Sequence, residues 1–93
     1  MNKVLIVDDE KAIRFVLTEF LKDNDFLTIE ASNGKEAIEV IKKQMPDAVL
    51  LDMKMGDMDG ITTMKELKKI NPDIPIIMIT AFGDIPTAVD AIK

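Results

Sequence analysis

The chain has 93 residues, 17 acidic and 12 basic, giving a formal net charge of -5, and it contains no Cys and no His. At that length residues 1–93 make one small domain with a modest core and no room for a second domain. The acidic balance speaks against sequence-independent nucleic-acid binding, which needs a basic face to displace counterions. Without Cys or His there is no disulfide, thiolate or imidazole metal site, Cys nucleophile or His base, so any chemistry falls to carboxylates, hydroxyls, lysines and backbone.

The apolar run behind Met1-Asn2-Lys3 is too short for a secretory signal or a membrane span, so a cytoplasmic location and no membrane partner are expected. That run, Val4 to Val7, is β-branched-rich and continuously apolar, the pattern of a strand covered on both faces, and Asp8-Asp9-Glu10 stops it. Ala12, Ile13, Phe15, Val16, Leu17, Phe20 and Leu21 then recur three and four apart, an amphipathic helix that ends at the turn cluster Asp23-Asn24-Asp25. Phe26 to Ala31, interrupted by Glu30, reads as an edge strand. Asn33-Gly34-Lys35-Glu36 has the capping-box spacing, so a second helix starts near Gly34 and ends before Pro46.

Ala48-Val49-Leu50-Leu51-Asp52 repeats the form of the first strand, an apolar run ending in a carboxylate. After a turn-rich loop, Ile61, Met64, Leu67 and Ile70 mark a third helix with Asp59 as its cap, closed by Asn71-Pro72-Asp73. Ile74 to Ile79 forms the fourth strand, with Thr80 at its end, and Ile85 to Lys93 the fourth helix, with Pro86 tolerated in its first turn. Alternation of strand and helix implies an α/β fold, a doubly wound parallel sheet of four βα units with right-handed crossovers and helices on both faces. Ligand sites in such sheets lie at the carboxyl ends of the strands, where Asp8, Asp9, Asp52 and Thr80 stand.

If the strands of Asp9 and Asp52 are neighbours, their carboxylates crowd one crevice, and repulsion raises their pKa values unless a cation intervenes. A hard divalent ion is the natural resolution, and Mg²⁺ accepts one or two carboxylates with waters and phosphate oxygens. Successive strand residues face opposite ways, so Asp8 and Asp9 are expected to differ, one binding directly and one through water. A carboxylate ionised at neutral pH can attack a phosphoryl group without a separate base. Thr80 would offer a hydroxyl to the group, and the small Ala81 would leave it room.

These residues resemble the receiver domains of two-component response regulators, of CheY-like fold. The matching pieces are Asp8-Asp9, Leu50-Leu51-Asp52 with Met55 three residues on, Met58-Asp59-Gly60, and Thr80-Ala81, spread over essentially the whole chain. The resemblance implies strand order 2-1-3-4 and a phosphoryl group passed to Asp52 from a sensor histidine kinase, a phosphotransfer protein or a small phosphodonor. It implies Mg²⁺, with Mn²⁺ as an alternative, bound by Asp9, Asp52 and the Lys54 backbone carbonyl, with Asp8 acting through water and Thr80 reading the phosphoryl group. Such a protein is a phosphorelay module rather than a turnover enzyme. Lys54 and Phe82, two places after Asp52 and Thr80, are expected to shield an acyl phosphate from water. The segment from Thr80 to Lys93 resembles receivers attached to NtrC-type transcription activators.

The chain departs from the family in two places. Gly56 stands where the family usually has Pro. Nothing matches the Lys-bearing fifth strand and fifth helix, so a C-terminally truncated receiver is expected, with Ile76 to Ile79 as an apolar edge inviting a homodimer through the fourth strand or fourth helix. A signalling-incompetent module that only binds metal or dimerises is the first alternative; a flavodoxin-type binder and an Asp-nucleophile phosphatase fit the loop after the first strand poorly. Each Asp alone is an ordinary turn former. Met53, Met55 and Met58 read as core filler rather than a thioether site, Asp57 to Glu66 fails as a calcium loop because Met55 falls at its first ligand, and the pairs Lys42-Lys43 and Lys68-Lys69 read as solvated helix faces.

Overall fold

Burial on both faces makes the first strand the centre of the sheet. In the computed structural model, which describes residues 2–55, 59–79 and 85–92, β1 (Lys3–Val7) lies between β2 (Leu27–Ala31) and β3 (Ala48–Asp52), and β3 carries β4 (Ile76–Ile79) on its far side. All pairings are parallel and the order is β2-β1-β3-β4, as expected. Val4, Leu5, Ile6 and Val7 are all essentially inaccessible, because alternate side chains feed two layers. Val4 and Ile6 pack with Leu17, Leu21 and Phe26. Leu5 and Val7 pack on the opposite side with Ala37, Ile41 and Leu67.

The helices cover those layers in pairs. α1 (Lys11–Asp23) packs beside α4 (Ile85–Ile92), and α2 (Gly34–Lys43) beside α3 (Gly60–Ile70). Their ends obey local chemistry. Asn33 Oδ1 accepts the Glu36 N–H at 2.8 Å and caps α2. The Glu36 carboxylate returns to the N–H and hydroxyl of Ser32, one residue upstream of the usual capping-box partner. Asp59 Oδ1 accepts the Thr62 N–H at 2.7 Å and caps α3. Asp25, in the expected turn, holds a positive φ of 66°, which a short polar side chain tolerates.

Two details differ from the pattern reading, and a third adds to it. β4 begins at Ile76 rather than Ile74, because Pro75 has no N–H to give the ladder; its carbonyl instead accepts the Val49 N–H at 2.9 Å. Lys68 is not simply solvated: its ammonium donates to the carbonyls of Ile74 and Pro72 and ties α3 to the start of β4. Glu30, which broke the apolar run of β2, pairs with Arg14 of α1 at 3.1 Å. Met55 is buried in the same layer as Leu51 and Leu67, as a gap-filling Met should be. Among the described residues no helix is long and apolar enough to cross a membrane.

Candidate functional site

The strand order reverses between β1 and β3, and there the two acidic strand ends meet. Val7 is the register partner of Leu51, so the next residues, Asp8 just past β1 and Asp52 at the end of β3, stand side by side. Asp8, Asp9 and Asp52 each offer a carboxylate oxygen, and these oxygens lie within 4.8 Å of one another. The three differ in exposure as the strand alternation demands: Asp8 is 3% exposed, Asp52 is half-buried and Asp9 is open to solvent.

Asp8 is fixed on three sides. Its N–H donates to the Ala31 carbonyl at 3.1 Å, carrying the β1–β2 ladder one residue further. Its Oδ1 accepts the Glu10 N–H at 2.9 Å, and its carbonyl accepts Arg14 Nη1 at 2.7 Å. Burial pushes its carboxyl up from 3.8 to about 6; the Glu10 amide acts in the opposite direction, and the negative charges of Asp52, Asp9 and Glu10 add to the rise. Arg14 does not relieve this, because its guanidinium is spent on a backbone oxygen and on Glu30. Among the described residues no cationic side chain pairs with any of the three carboxylates.

Asp52 sits on a turn pinned at three points. Lys54 N–H donates to Asp52 Oδ1 at 3.0 Å, Met53 N–H donates to the Ile79 carbonyl at 3.2 Å, and the Met53 carbonyl accepts the Gly60 N–H at 3.1 Å. Asp52 Oδ2 has no hydrogen-bond partner among the described residues. Lys54 touches Asp52 through its backbone N–H, a different atom from the carbonyl expected to reach the metal, and its side chain is exposed. Thr80, expected to read the phosphoryl group, lies outside the described residues, as do Phe82, Gly56, Asp57 and Met58.

The donor set fits Mg²⁺. It is all oxygen, which selects a hard cation, and one of its members is a carboxyl raised first by burial and further by the like charges beside it, a charge cost that a divalent ion offsets. Two contributors escaped the sequence reading. Arg14 anchors the Asp8 carbonyl from the first turns of α1, and the only sequence signal was a basic residue on the otherwise apolar side of that helix. Gly60 touches the Asp52 turn directly, a contact the sequence did not reveal: Asp59-Gly60 by itself reads as a turn and cap, and Met58-Asp59-Gly60 entered only as a piece of the family resemblance.

A four-stranded sheet in this order, with three carboxylates converging at its switch point, defines the CheY-like receiver fold. Residues 4–93 match the family model described as response regulator receiver domain. Sporulation initiation phosphotransferase F of Bacillus subtilis is 43% identical over 84 residues, covering 90% of this chain and 68% of that protein. Transcriptional regulatory protein ZraR of Escherichia coli is 39% identical over 90 residues, 97% of this chain but 20% of that protein, so the chain spans only a fifth of such regulators. The crystal structure of response regulator protein TrrA from Thermotoga maritima, in complex with Mg²⁺ and BeF, superposes with a TM-score of 0.83 at 30% identity, covering 99% of this chain and 81% of that one. The chain belongs to the response regulator receiver domain family of two-component signalling. Receiver domains as a class take phosphoryl groups from histidine kinases or phosphotransfer proteins and bind Mg²⁺.

Proposed function

We propose that Asp52 is the phosphoryl acceptor of this receiver, with Mg²⁺ held by Asp9, Asp52 and the Lys54 carbonyl and assisted through water by Asp8. The observation that carries the reading is the convergence of the three carboxylates within 4.8 Å at the switch point, with Asp52 Oδ2 unbonded among the described residues. Asp52 Oδ2 attacks the phosphorus of a donor such as a phosphohistidine. The phosphorus–nitrogen bond breaks, its electron pair returns to the imidazole, and Asp52 becomes an acyl phosphate. Lys54 N–H, bonded to Oδ1, orients the carboxylate for that approach. The chemistry that a bound Mg²⁺ supplies is neutralisation of charge on the phosphoryl oxygens. Thr80 reads the new group, and the conformational equilibrium shifts for a partner. The protein is a participant in its own modification rather than a turnover enzyme, and a cytoplasmic location belongs to the same reading.

Incubation with a small phosphodonor and Mg²⁺, followed by intact-mass measurement, tests this. The expected result is the mass increase of one phosphoryl group in the wild type and none in Asp52→Asn. An unchanged wild-type mass, or an increase that survives Asp52→Asn, overturns the assignment.

A further inference from the structure

Gly60 opens α3, but neither the helix nor its backbone conformation asks for glycine there. The cap is supplied by Asp59, whose Oδ1 takes the Thr62 N–H. Gly60 is not among residues of positive φ, so an L side chain could adopt its backbone angles. Ala would raise helix propensity. What forbids a side chain is proximity: a Cβ on Gly60 would lie 2.6 Å from Met53 Cα and 2.7 Å from the Asp52 carbonyl oxygen, with Met78 Cε at 3.0 Å. The first two are backbone atoms of the turn that carries the carboxylate, and they cannot rotate away as a side-chain tip can.

We propose that Gly60 is a positioning residue for Asp52: its bare Cα lets the start of α3 press on the Asp52-Met53-Lys54 turn, and its N–H clamps the Met53 carbonyl at 3.1 Å. The role rests on the reading of Asp52 as phosphoryl acceptor. The direction of the effect follows from what surrounds the turn. Met53 N–H is bonded to the Ile79 carbonyl at the end of β4, and Leu51 and Asp52 stay in register with Met78 and Ile79, so the turn is held to the sheet. Asp8 is tied independently to Ala31, Glu10 and Arg14, so the β1 side of the cluster stays where it is. A Cβ at position 60 therefore separates Asp52 from Asp8 and Asp9, or drives α3 off the turn and breaks the Gly60 N–H bond to the Met53 carbonyl. Either way the turn no longer holds Asp52 in place against Asp8 and Asp9.

The test compares wild type with Gly60→Ala and with Leu67→Val, a core substitution of α3 that leaves the turn untouched. Three quantities are read: unfolding midpoint, Mg²⁺ affinity by calorimetry, and the NMR signals of the Lys54 amide and the Asp52 carboxyl carbon without metal. Gly60→Ala is expected to shift both Asp52-turn signals while those of Asp8 and Asp9 hold, and to weaken Mg²⁺ binding by about tenfold or more, the scale for loss of a supporting contact. Leu67→Val is expected to lower the midpoint while keeping wild-type affinity and signals. If Gly60→Ala does not fold, replacing Gly60 by glycolate through semisynthesis removes only the N–H and should move the same signals in the folded protein. Wild-type affinity and signals in folded Gly60→Ala, or in the glycolate protein where that is used, overturn the role. A wild type that takes no phosphoryl group overturns the acceptor reading alone, since the metal-free signals judge Gly60 separately.

Discussion

The two corners of the site each bury one polar side chain, and they hold it by opposite means. At the β1–α1 corner the buried group is Asp8, and at the β3–α3 corner it is Thr63, one turn into α3 and wholly inaccessible. Asp8 is surrounded by directed bonds from Glu10, Arg14 and the β2 ladder, and still carries a carboxyl raised to about 6. Among the described residues Thr63 Oγ1 has no hydrogen-bond partner, and its corner is shaped by contact, with Gly60 pressed against Met53. The first corner stores an electrostatic cost that a cation removes; the second fixes where Asp52 stands. Charge and position are thus supplied by different strands, and each can be perturbed without the other.

The largest expected effect lies in the charge. Asp9→Asn keeps the shape of an exposed side chain while removing a direct ligand, so Mg²⁺ affinity should fall by about 10–100-fold, at least the cost of losing a supporting partner. Calorimetric titration at constant salt measures it, and an affinity equal to wild type would remove Asp9 from the coordination sphere. Next comes the pH dependence of the metal-free protein. The folded carboxyl of Asp8 titrates near 6 against 3.8 for the unfolded chain, so the folded state holds more protons between those values. Stability from this group is therefore highest at low pH and is lost as pH rises through about 6. Between about pH 5 and pH 7 the loss is roughly 1 kcal/mol. The Asp59 carboxyl, lowered first by the Thr62 amide it caps, loses its contribution only below the ordinary Asp range and does not enter this window. Denaturant unfolding with chelator at both pH values should show the slope in wild type and not in Asp8→Asn; equal slopes would mean that the carboxyl pays no burial cost.

Much of this was legible because the strands are short and covered on both faces. Val4–Val7 and Ala48–Asp52 have the pattern of interior parallel strands, and the polar residues that end such strands emerge at the crevice, where Asp8, Asp9 and Asp52 stand. The edge position of β4 followed from the same order, and its half-buried Ile76, Ile77 and Met78 show it. What stayed hidden depends on distances between segments remote in sequence. The reach of Arg14 back to the Asp8 carbonyl requires knowing how α1 leaves the strand. The close approach of Gly60 to Met53 requires knowing how tightly the loop between them closes, and glycine after Asp reads locally as a turn. Lys68 looked like surface for the same reason, because the carbonyls it serves lie beyond the helix end.

The smallest expected effect tests whether the β3 corner is set by shape alone. Thr63→Val exchanges a buried hydroxyl for a methyl of similar size, and both side chains are β-branched, so helix propensity hardly changes. A buried donor left without a partner costs about 1–3 kcal/mol in desolvation, and that cost disappears with the hydroxyl. The variant should therefore unfold at a higher denaturant concentration, by about 1 kcal/mol, and bind Mg²⁺ as the wild type does. The alternative partner is defined by the helix itself: the Asp59 carbonyl one turn back already accepts the Thr63 N–H at 3.0 Å, and a threonine hydroxyl can share such an acceptor. Lower stability in Thr63→Val would show that this second bond forms in solution and holds the first turn of α3. The pressure of Gly60 on the Asp52 turn would then depend on a polar contact as well as on packing, and the contrast between the two corners would narrow.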